Sequence, residues 1–344
     1  MTQNIVSLVE SDQPKKWQEI LSDLITDPKE LVQLLQLDPS SQPPSLAAID
    51  QFPLKVTRSF VEAMELGNWQ DPLLRQVWPS KLEEAEISGF VSDPLMEAEA
   101  NPVPGLLHKY HGRVLLTAVP HCAIHCRYCF RRHFDYDGNT PSQSQWNQAL
   151  DYIRSDQSIE EVILSGGDPL AASDRQLARL IRQLDEIPHL TTLRIHSRMP
   201  IVLPQRLSLE LLYLLEKTRL KPVLVLHCNH VQEISPNVEH YLQRIDANRI
   251  KMLNQSVLLA EVNDNSTILS ELSRALFALN VLPYYLHLPD RVAGTAHFAV
   301  TTVKGRQIIQ EMENQLPGYL VPQLVQEKPG RPAKSRVRSH QVPN

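Results

Sequence analysis

Three cysteines with metal-ligand spacing stand in the stretch HCAIHCRYCFRRHF, at residues 121–134. Cys122, Cys126 and Cys129 follow the pattern C-x3-C-x2-C, and the chain has one further cysteine, Cys228. Such short spacings let the backbone wrap around a metal centre while the sulfurs face it. In a chain without a secretory signal, clustered thiols bind metal or react more often than they form disulfides. We therefore expect a metal centre here and treat Cys228 as a small buried side chain.

Two kinds of metal centre are compatible with three cysteines. A structural zinc ion takes four ligands, so a nearby histidine would have to complete the set: His121, His125 or His133. An iron–sulfur cluster with cysteines on all but one of its irons would leave that iron open for a substrate or cofactor. From these residues alone, a zinc-binding interaction protein and a cluster enzyme both remain open.

Short β-rich runs alternate with amphipathic helical stretches from residue 113 onward. The helical stretches lie at 173–186, 207–218 and 266–280, where leucines recur at helical spacing. The predicted strands cover 113–119, 160–166, 191–197, 221–228, 249–256 and 281–288. Strands that alternate with helices predict right-handed βαβ units, and hence an α/β fold with a parallel sheet or partial barrel.

Polar residues follow the ends of these predicted strands. The cysteines follow the first strand, and the later strands end at or lead into 166–168, 196–198, 227–230, Gln255 and Asp290. Ligands of parallel α/β folds bind at the carboxyl ends of the strands. We therefore expect these residues to meet in one site.

The first part of the chain has a different pattern. Residues 1–95 read as short helices separated by prolines, such as 26–37, with Pro28 at the first helical position, and 56–67. No chemical cluster lies there, so we expect this region to serve packing or an oligomer surface. We divide the chain into a helical region at 1–95, a barrel at 96–316 and a C-terminal segment at 317–344.

Composition argues against several classes of protein. The 344 residues are 42% hydrophobic and 21% charged, with a net charge of −5, and no apolar run approaches the roughly 18 residues that span a bilayer. The first residues lack a basic region followed by an apolar core, so we expect no secretory signal and a cytoplasmic location. The acidic balance argues against direct nucleic-acid binding, and the basic tail at 328–338 is typical of a solvated chain end.

The motifs together resemble a known enzyme family. The cysteine pattern, with Tyr128 before its last cysteine, resembles the signature of the radical S-adenosylmethionine superfamily. The lysine 2,3-aminomutase family within it is resembled by four stretches: CRYCFRR, SGGDPL, HCNHVQEIS and PYYLHLPD. The resemblance spans residues 95–334 and is greatest for the compact bacterial branch that makes β-lysine for elongation factor P. It implies a partial (β/α)6 TIM-like barrel of the radical S-adenosylmethionine type, with an N-terminal helical region and a short C-terminal tail that binds pyridoxal phosphate.

The resemblance implies a [4Fe-4S] cluster and S-adenosylmethionine as cofactors. Cys122, Cys126 and Cys129 would bind the cluster, whose open iron would chelate S-adenosylmethionine, and one electron would release a 5′-deoxyadenosyl radical. The glycines of SGGD would let the backbone approach the methionyl end, while Asp168 could meet its ammonium. The residues placed at this cofactor by the resemblance are Tyr128, Gly166, Gly167, Asp168, His227 and Gln255.

The resemblance also implies pyridoxal phosphate, bound covalently by a lysine in the tail. In the segment 329–334, Lys334 matches the family's Schiff-base lysine, with Lys328 as the nearby competitor. Positions 331–333, which are glycines in the family pattern, are Arg, Pro and Ala here, so the backbone has less freedom. Arg113 matches a position near the cofactor phosphate, which a guanidinium can bind by two hydrogen bonds.

The substrate implied is L-lysine. Arg131 matches the arginine that binds the substrate carboxylate, and Asp290 matches an acid that binds the ε-ammonium. Glu327 stands where the family has a second acid, an aspartate, so the charge is kept and the reach is one methylene longer. A glutamate-specific relative would not be expected to retain these acids, so we favour lysine over glutamate.

The expected function is thus a lysine 2,3-aminomutase, an isomerase that moves an amino group between neighbouring carbons and regenerates S-adenosylmethionine. Its expected partners are L-lysine, a reducing electron donor, a functional link to the enzyme that attaches the lysyl group to elongation factor P, and a second copy of the chain in a homo-oligomer. A radical enzyme of this type acting on another amino acid is the alternative, and the zinc-binding interaction protein is the alternative from another class.

Overall fold

A computed structural model describes residues 16–134 and 143–338 of the chain. The first residues, on which the expectation of no secretory signal rests, mostly lie outside this range. The strands are β1 Leu106–Tyr110, β2 Arg113–Val119, β3 Glu161–Gly166, β4 Thr192–Ser197, β5 Lys221–Leu226, β6 Lys251–Val257, β7 Val281–His287, β8 Gln323–Gln326 and β9 Ser335–Arg336. All six predicted strands are present as β2 to β7, with bounds within two residues of the prediction.

The strands form one sheet in the order of the sequence, from β1 to β9. Neighbours from β2 to β8 pair in parallel, whereas β1 and β9 pair antiparallel at the two edges. Residues in register include Val114 with Val162 and Leu224 with Met252. The arrangement confirms a partial barrel, because successive parallel strands joined by helices curl the sheet without joining its edges.

Helices connect the strands and precede them. The α-helices are α1 Trp17–Ser22, α2 Pro28–Leu34, α3 Leu46–Gln51, α4 Arg58–Val61, α5 Pro72–Arg75, α6 Gln143–Ser155, α7 Asp174–Asp185, α8 Met199–Val202, α9 Leu209–Lys217, α10 Pro236–Leu242, α11 Ser266–Ala278 and α12 Thr302–Glu313. Short 3-10 turns cover Lys81–Glu84, Glu97–Ala100, Pro169–Ala171, Pro204–Arg206, Val231–Glu233, Ala296–Phe298 and Gly318–Leu320.

Helix α7 illustrates how local sequence fixes these elements. Ser173 caps it by accepting from the backbone N–H of Gln176, whose side chain returns a bond to the Ser173 N–H. Its apolar stripe, which includes Leu177 and Leu184, is fully buried. Capping and periodicity thus agree at this helix, and its predicted range is confirmed.

The predicted helix at 56–67 is much shorter than expected. Only Arg58–Val61 is helical, because tertiary partners take the backbone groups that a longer helix would use. The N–H of Glu65 donates to Asp71 at 2.9 Å, and the N–H of Gly67 donates to the carbonyl of Leu35 at 2.7 Å. The chain turns at Gly67, whose φ is +72°.

The N-terminal helices and the barrel share one apolar core. Phe60 and Leu74 from the helical region belong to the same buried cluster as Leu164 and Val202 of the barrel. Ser59 also donates to the carbonyl of Val202 at 2.8 Å. Across the described ranges, no helix is both long and apolar enough to cross a membrane.

Candidate active site

One cavity of about 690 Å³ opens among the strands of the barrel. The residues that the resemblance places at the cluster, the cofactors or the substrate all line this cavity: Arg113, Cys122, Cys126, Tyr128, Cys129, Arg131, Gly166, Gly167, Asp168, His227, Gln255, Asp290, Glu327 and Lys334. The candidate zinc ligands His121, His125 and His133 do not line it. The cysteines and 166–168 follow strand ends, while Arg113 begins β2 at its amino end. The cavity therefore extends through the barrel, rather than lying only at the carboxyl ends of the strands as expected.

The cysteine loop is held from outside by the N-terminal region. Arg127 is fully buried, and its Nε donates to Glu83 Oε1 at 2.9 Å. Arg132 Nη2 donates to the other oxygen of Glu83 at 2.8 Å, and the N–H of His125 donates to the carbonyl of Lys55 at 2.9 Å. The expectation that residues 1–95 serve packing is confirmed by the shared core, and this region also fixes the loop that carries the cysteines.

Burial affects the protonation of two of the three thiols in the cysteine loop. Burial raises the pKa of Cys129 to about 11 and holds the pKa of Cys122 well above its usual range, so both stay protonated until a cationic centre displaces the protons. Among the described residues, no three His, Cys, Asp or Glu side chains surround a single-ion position.

A buried arginine from the strand end 196–198, which was expected at the site without a specific role, contacts one of these cysteines. Arg198, directly after β4, donates from Nη1 to Cys126 Sγ at 2.9 Å and from Nη2 to Gln76 at 2.8 Å. Glu233 balances its charge, at 3.2 Å from Nη2. Hydrogen bonds to the sulfurs of an iron–sulfur cluster influence the reduction potential of the cluster. The partner Gln76 lies in the N-terminal region, which again ties that region to the cluster loop.

The hydroxyl of Tyr128 is engaged by the protein. It accepts from Arg198 Nη1 and, at 2.7 Å, from Asn229 Nδ2. Burial raises the pKa of Tyr128 well above its usual range, so the phenol stays neutral. Its ring packs edge-on against Phe298, with 6.1 Å between the ring centres. Tyr128 also lines the cavity, so its ring, and not its hydroxyl, is the part that can contact a cofactor.

The glycines of SGGD allow two backbone segments to approach closely. Gly166 has a φ of +106°, and a Cβ there would lie 2.5 Å from Thr117 Cγ2. A Cβ on Gly167 would lie 2.6 Å from the carbonyl oxygen of His121, the residue before the first cysteine of the loop. The N–H of Gly167 donates to the carbonyl of Val119 at 2.9 Å. The SGGD motif thus allows the start of the cysteine loop to pack directly against the end of β3, in addition to any contact with a ligand.

Gly167→Ala should therefore disturb the cysteine loop. The added methyl group would overlap backbone atoms that cannot rotate away, so we expect a loss of about 1–3 kcal/mol in the free energy of unfolding and a lower iron content after reconstitution. Gly318→Ala is the matched control, because a Cβ there meets nothing within 4 Å, and we expect a change within about 0.5 kcal/mol. Denaturant unfolding and iron analysis measure both. Equal behaviour of the two variants would contradict this account of the motif.

Asp168 accepts four hydrogen bonds from other groups of the protein. Its Oδ1 accepts from Ser197 Oγ at 2.6 Å and from the Leu170 N–H at 3.1 Å. Its Oδ2 accepts from the N–H groups of Arg198 and Met199 at 2.7 and 3.0 Å. A carboxylate has about four acceptor positions, so the protein already occupies them. Asp168 fixes the end of β4, and an ammonium could bind its carboxylate only by displacing one of these donors.

Buried atoms without partners mark where a ligand would bind. His227 Nε2 and Gln255 Oε1, both singled out from the sequence, are buried without a hydrogen-bond partner in the part of the chain that the structure describes. His196 Nε2, which was not assigned a role, has the same property and lies in the same cavity. Burial lowers the pKa of His227 to about 3, so its imidazole is neutral. Since buried polar atoms are normally paired, these atoms fit a bound cofactor.

Lys334 reaches the cavity, and its neighbours favour a reactive amine. Its Nζ lies 3.2 Å from His287 Nε2 and 3.3 Å from Glu327 Oε2. Burial lowers the pKa of Lys334 despite the nearby Glu327, which favours the neutral amine that attacks an aldehyde. The competitor Lys328 is exposed and does not line the cavity. These observations fit covalent attachment of pyridoxal phosphate at Lys334.

The altered loop before Lys334 does not require its missing glycines. Among the described residues of this loop, the left-handed region is occupied only by Gly330, at φ +71°. Arg331, Pro332 and Ala333 therefore adopt ordinary backbone conformations. After the loop, β9 pairs back onto β8, with Arg336 opposite Val325. Lys334 and Arg336 both line the cavity, so these two residues of the basic tail belong to the site and not to a solvated chain end.

Charged residues line the inner end of the cavity, near the amino ends of the strands. The Arg113 guanidinium lies over the Tyr110 ring, 4.8 Å from its centre. Arg194 Nη2 donates to Glu161 Oε2 at 2.6 Å, and both residues line the cavity. Arg194 and Glu161 alternate with apolar residues along their strands, and neither was assigned a role from the sequence. Cations at this end fit a phosphate group.

The predicted substrate residues lie in a network of ion pairs. Arg131 binds Glu97 through two hydrogen bonds, of 2.7 and 2.9 Å, and donates to Ser165 Oγ at 3.2 Å. Glu327 accepts from Lys109 at 3.2 Å. Burial, and next the charge of Glu327, raise the pKa of Asp290 to about 7. Glu97 and Lys109 were missed from the sequence because β1 and the turn before it were not predicted.

Comparison with known proteins agrees with this site. Residues 116–225 match the model of the Radical SAM superfamily. The chain is 48% identical to the L-lysine 2,3-aminomutase of Haemophilus influenzae, over 93% of this chain and 95% of that protein. Proteins of the same name from Escherichia coli and Acetoanaerobium sticklandii are 46% and 36% identical, over 93% and 95% of this chain and 93% and 78% of their own lengths. With a cavity lined by both the three cysteines and Lys334, the chain belongs to the L-lysine 2,3-aminomutase family of radical S-adenosylmethionine enzymes.

Proposed function

We propose that this protein converts L-lysine to β-lysine by moving the α-amino group to the neighbouring carbon. The observation that carries the proposal is one cavity, lined at once by Cys122, Cys126 and Cys129, by Lys334, and by oppositely charged residues suited to both ends of a lysine molecule. When bound, the [4Fe-4S] cluster with S-adenosylmethionine supplies a carbon-centred radical, and pyridoxal phosphate supplies the π system through which nitrogen migrates.

The protein's own residues bind and orient these groups. The three cysteines would hold the cluster, and the unpartnered His227 Nε2 and Gln255 Oε1 would bind S-adenosylmethionine. Lys334 would bind the aldehyde of pyridoxal phosphate, with Arg113 near its phosphate. The chain encloses this chemistry inside the barrel, where water is excluded from reactive species.

Substrate choice follows from the charges in the cavity. Lysine has a carboxylate at one end and an ammonium at the other, and the two groups need opposite partners. Arg131 would bind the carboxylate, while Asp290 and Glu327 would bind the ε-ammonium. The carboxylate of a glutamate side chain would face these two acids and be repelled. A panel of amino acids offered to the reconstituted enzyme tests this choice: turnover of glutamate but not of lysine would overturn it.

Lysine binding should depend on the protonation of Asp290. Only the ionised carboxylate attracts the ammonium, and the pKa of Asp290 is about 7. Above that pH the acid is charged and lysine binds well; below it, the dissociation constant of lysine should rise by about tenfold per pH unit. Lysine's own ammonium, with a pKa near 10.4, stays charged throughout this range.

The control for this pH dependence is Asp290→Asn. This variant should bind lysine weakly at every pH between about 5.5 and 8.5, with little slope. Titration of the pyridoxal phosphate-loaded protein with lysine, followed by absorbance, gives the dissociation constants. A slope that persists in Asp290→Asn would show that another group is responsible.

We propose further that the β-lysine is made for elongation factor P, in the cytoplasm. The support is the resemblance of the sequence to the branch of the family that serves this modification. The enzyme that attaches the lysyl group to elongation factor P would then consume the product, and a cytoplasmic one-electron donor would reduce the cluster. Joint incubation of the three proteins with lysine should give elongation factor P carrying a β-lysyl group by mass spectrometry. Attachment of α-lysine only, with free β-lysine accumulating, would contradict this link.

A further inference from the structure

Glu97 lies between the predicted carboxylate anchor and the predicted coenzyme lysine. It is 4% exposed and begins the 3-10 turn Glu97–Ala100. Its Oε2 accepts from Arg131 Nε at 2.7 Å, and its Oε1 accepts from Arg131 Nη2 at 2.9 Å and from Lys109 Nζ at 3.0 Å. Such a two-bond pair fixes the plane of a guanidinium.

The network continues from Lys109 to the coenzyme lysine. Lys109 Nζ also donates to Glu327 Oε1 at 3.2 Å, and Glu327 Oε2 accepts from Lys334 Nζ at 3.3 Å. The charges alternate along Arg131, Glu97, Lys109, Glu327 and Lys334, and all five residues line the same cavity. The substrate would bind the coenzyme on Lys334 at one point and Arg131 at another. One continuous network of ion pairs would thus connect these two binding groups.

We propose that Glu97 is a positioning residue, which sets the orientation of Arg131 and so places the substrate carboxylate at a fixed distance from the coenzyme lysine. This inference rests on the proposed function. A 1,2-shift needs one particular hydrogen within reach of the radical, and a misplacement of about 1 Å can cost about a hundredfold in rate. Glu97 would act through Arg131 without touching the reacting atoms.

The charge state of Glu97 is consistent with this role. Burial alone would raise its pKa, but Arg131 and Lys109 outweigh that effect and hold the pKa at about 2. The carboxylate is therefore ionised at every pH at which the enzyme works. The Glu97 carboxylate offsets part of the positive charge of Arg131 and Lys109. Arg131 is therefore an oriented, paired guanidinium and not an isolated buried cation.

The test is a pair of variants with separate measurements of kcat and KM. In Glu97→Gln, the amide nitrogen cannot accept a hydrogen bond, so Arg131 loses one of its two bonds to Glu97. Its guanidinium plane is then less fixed, while it still attracts a carboxylate. We expect kcat for lysine to fall by about 10- to 100-fold and KM to stay within about threefold. The number of S-adenosylmethionine molecules cleaved per lysine converted should rise, because a misplaced substrate fails to return its hydrogen.

Glu97→Asp keeps the charge and shortens the reach by one methylene. We expect the same kind of loss with a smaller size, and this variant carries the test if Glu97→Gln does not fold. A kcat equal to that of the wild type, or a rise in KM alone, would overturn the proposal. If the wild type itself does not convert lysine, the proposed function fails, and this outcome is distinct from failure at Glu97.

Glu83→Gln is the matched control. Glu83 is also a buried acid, bonded to Arg127 and Arg132 of the same loop, and it does not line the cavity. We expect Glu83→Gln to lower the melting temperature and the iron content, while the loaded fraction keeps the wild-type KM and the wild-type ratio of cleavage to conversion. If Glu83→Gln raised that ratio as much as Glu97→Gln, the effect would be a general loosening of the loop and the proposal would be wrong.

Discussion

Lys334→Ala should abolish covalent binding of pyridoxal phosphate and reduce turnover of lysine by about a thousandfold or more. The amine of Lys334 lies inside the cavity between His287 and Glu327, where burial lowers its pKa and makes it a better nucleophile. Lys109 also contacts Glu327, but among the described residues only the Lys334 amine lies within hydrogen-bonding distance of both His287 and Glu327. Borohydride reduction of the loaded protein, followed by mass spectrometry, should add the mass of the coenzyme to the wild type at Lys334.

Lys328→Ala is the control for this loss. Lys328 is exposed, and it is separated from Lys334 only by the loop that departs from the family pattern. We expect this variant to keep the coenzyme mass and the wild-type turnover. Coenzyme retained in Lys334→Ala and lost in Lys328→Ala would reverse the assignment and would place the loop differently from this structure.

Cys126→Ala should lose the cluster, and with it all lysine turnover. A [4Fe-4S] cluster held by three cysteines cannot keep its geometry on two, and Cys126 is the cysteine whose sulfur also accepts a hydrogen bond from the buried Arg198. The wild type, purified and reconstituted without oxygen, should contain about four irons per chain. Iron analysis and the visible absorbance of the cluster measure the loss.

Cys228→Ala separates this effect from a general effect of removing a thiol. Cys228 is fully buried in the apolar core, with its Sγ 3.5 Å from the carbonyl oxygen of His230. We expect this variant to lose about 1 kcal/mol of stability and to keep its iron. A colourless wild type that carries a single zinc ion, or full iron content in Cys126→Ala, would contradict the cluster assignment.

The barrel could be predicted from the sequence because local pattern and tertiary role agree there. Strands β2 to β7 are apolar runs between amphipathic helices, and each lies where it was expected. The edge strands were missed for physical reasons. β8 has four residues and β9 two, too few for a periodic pattern, and β1, LLHKY, is half polar and pairs antiparallel.

The candidate site was predictable to the extent that its residues belong to motifs. Gln76 and Arg198 form a hydrogen bond across 122 positions of sequence, and nothing in the local sequence of either residue indicates the other. Glu83 and Glu97 look like ordinary surface acids of short helices, yet both are buried by arginines of the cysteine loop. Long-range ion pairs of this kind depend on the assembled fold, so the sequence alone could not reveal them.

At the loop before Lys334, the sequence indicated a backbone constraint that the structure does not have. Three glycines of the family pattern are replaced here, and residue types alone indicated a constrained loop. The structure needs a left-handed conformation in this loop only at Gly330, which is still a glycine. The loop therefore positions Lys334 without the other glycines, because Arg331, Pro332 and Ala333 occupy conformations that any such residue adopts.

The most direct test of the account is conversion of lysine labelled with ¹⁵N at its α-amino group. The reduced enzyme, reconstituted with iron and sulfide and supplied with S-adenosylmethionine and pyridoxal phosphate, should release β-lysine that carries the label on its β-carbon, as read by NMR. Unchanged lysine, loss of the label to solvent, or conversion of a different amino acid in its place would contradict it.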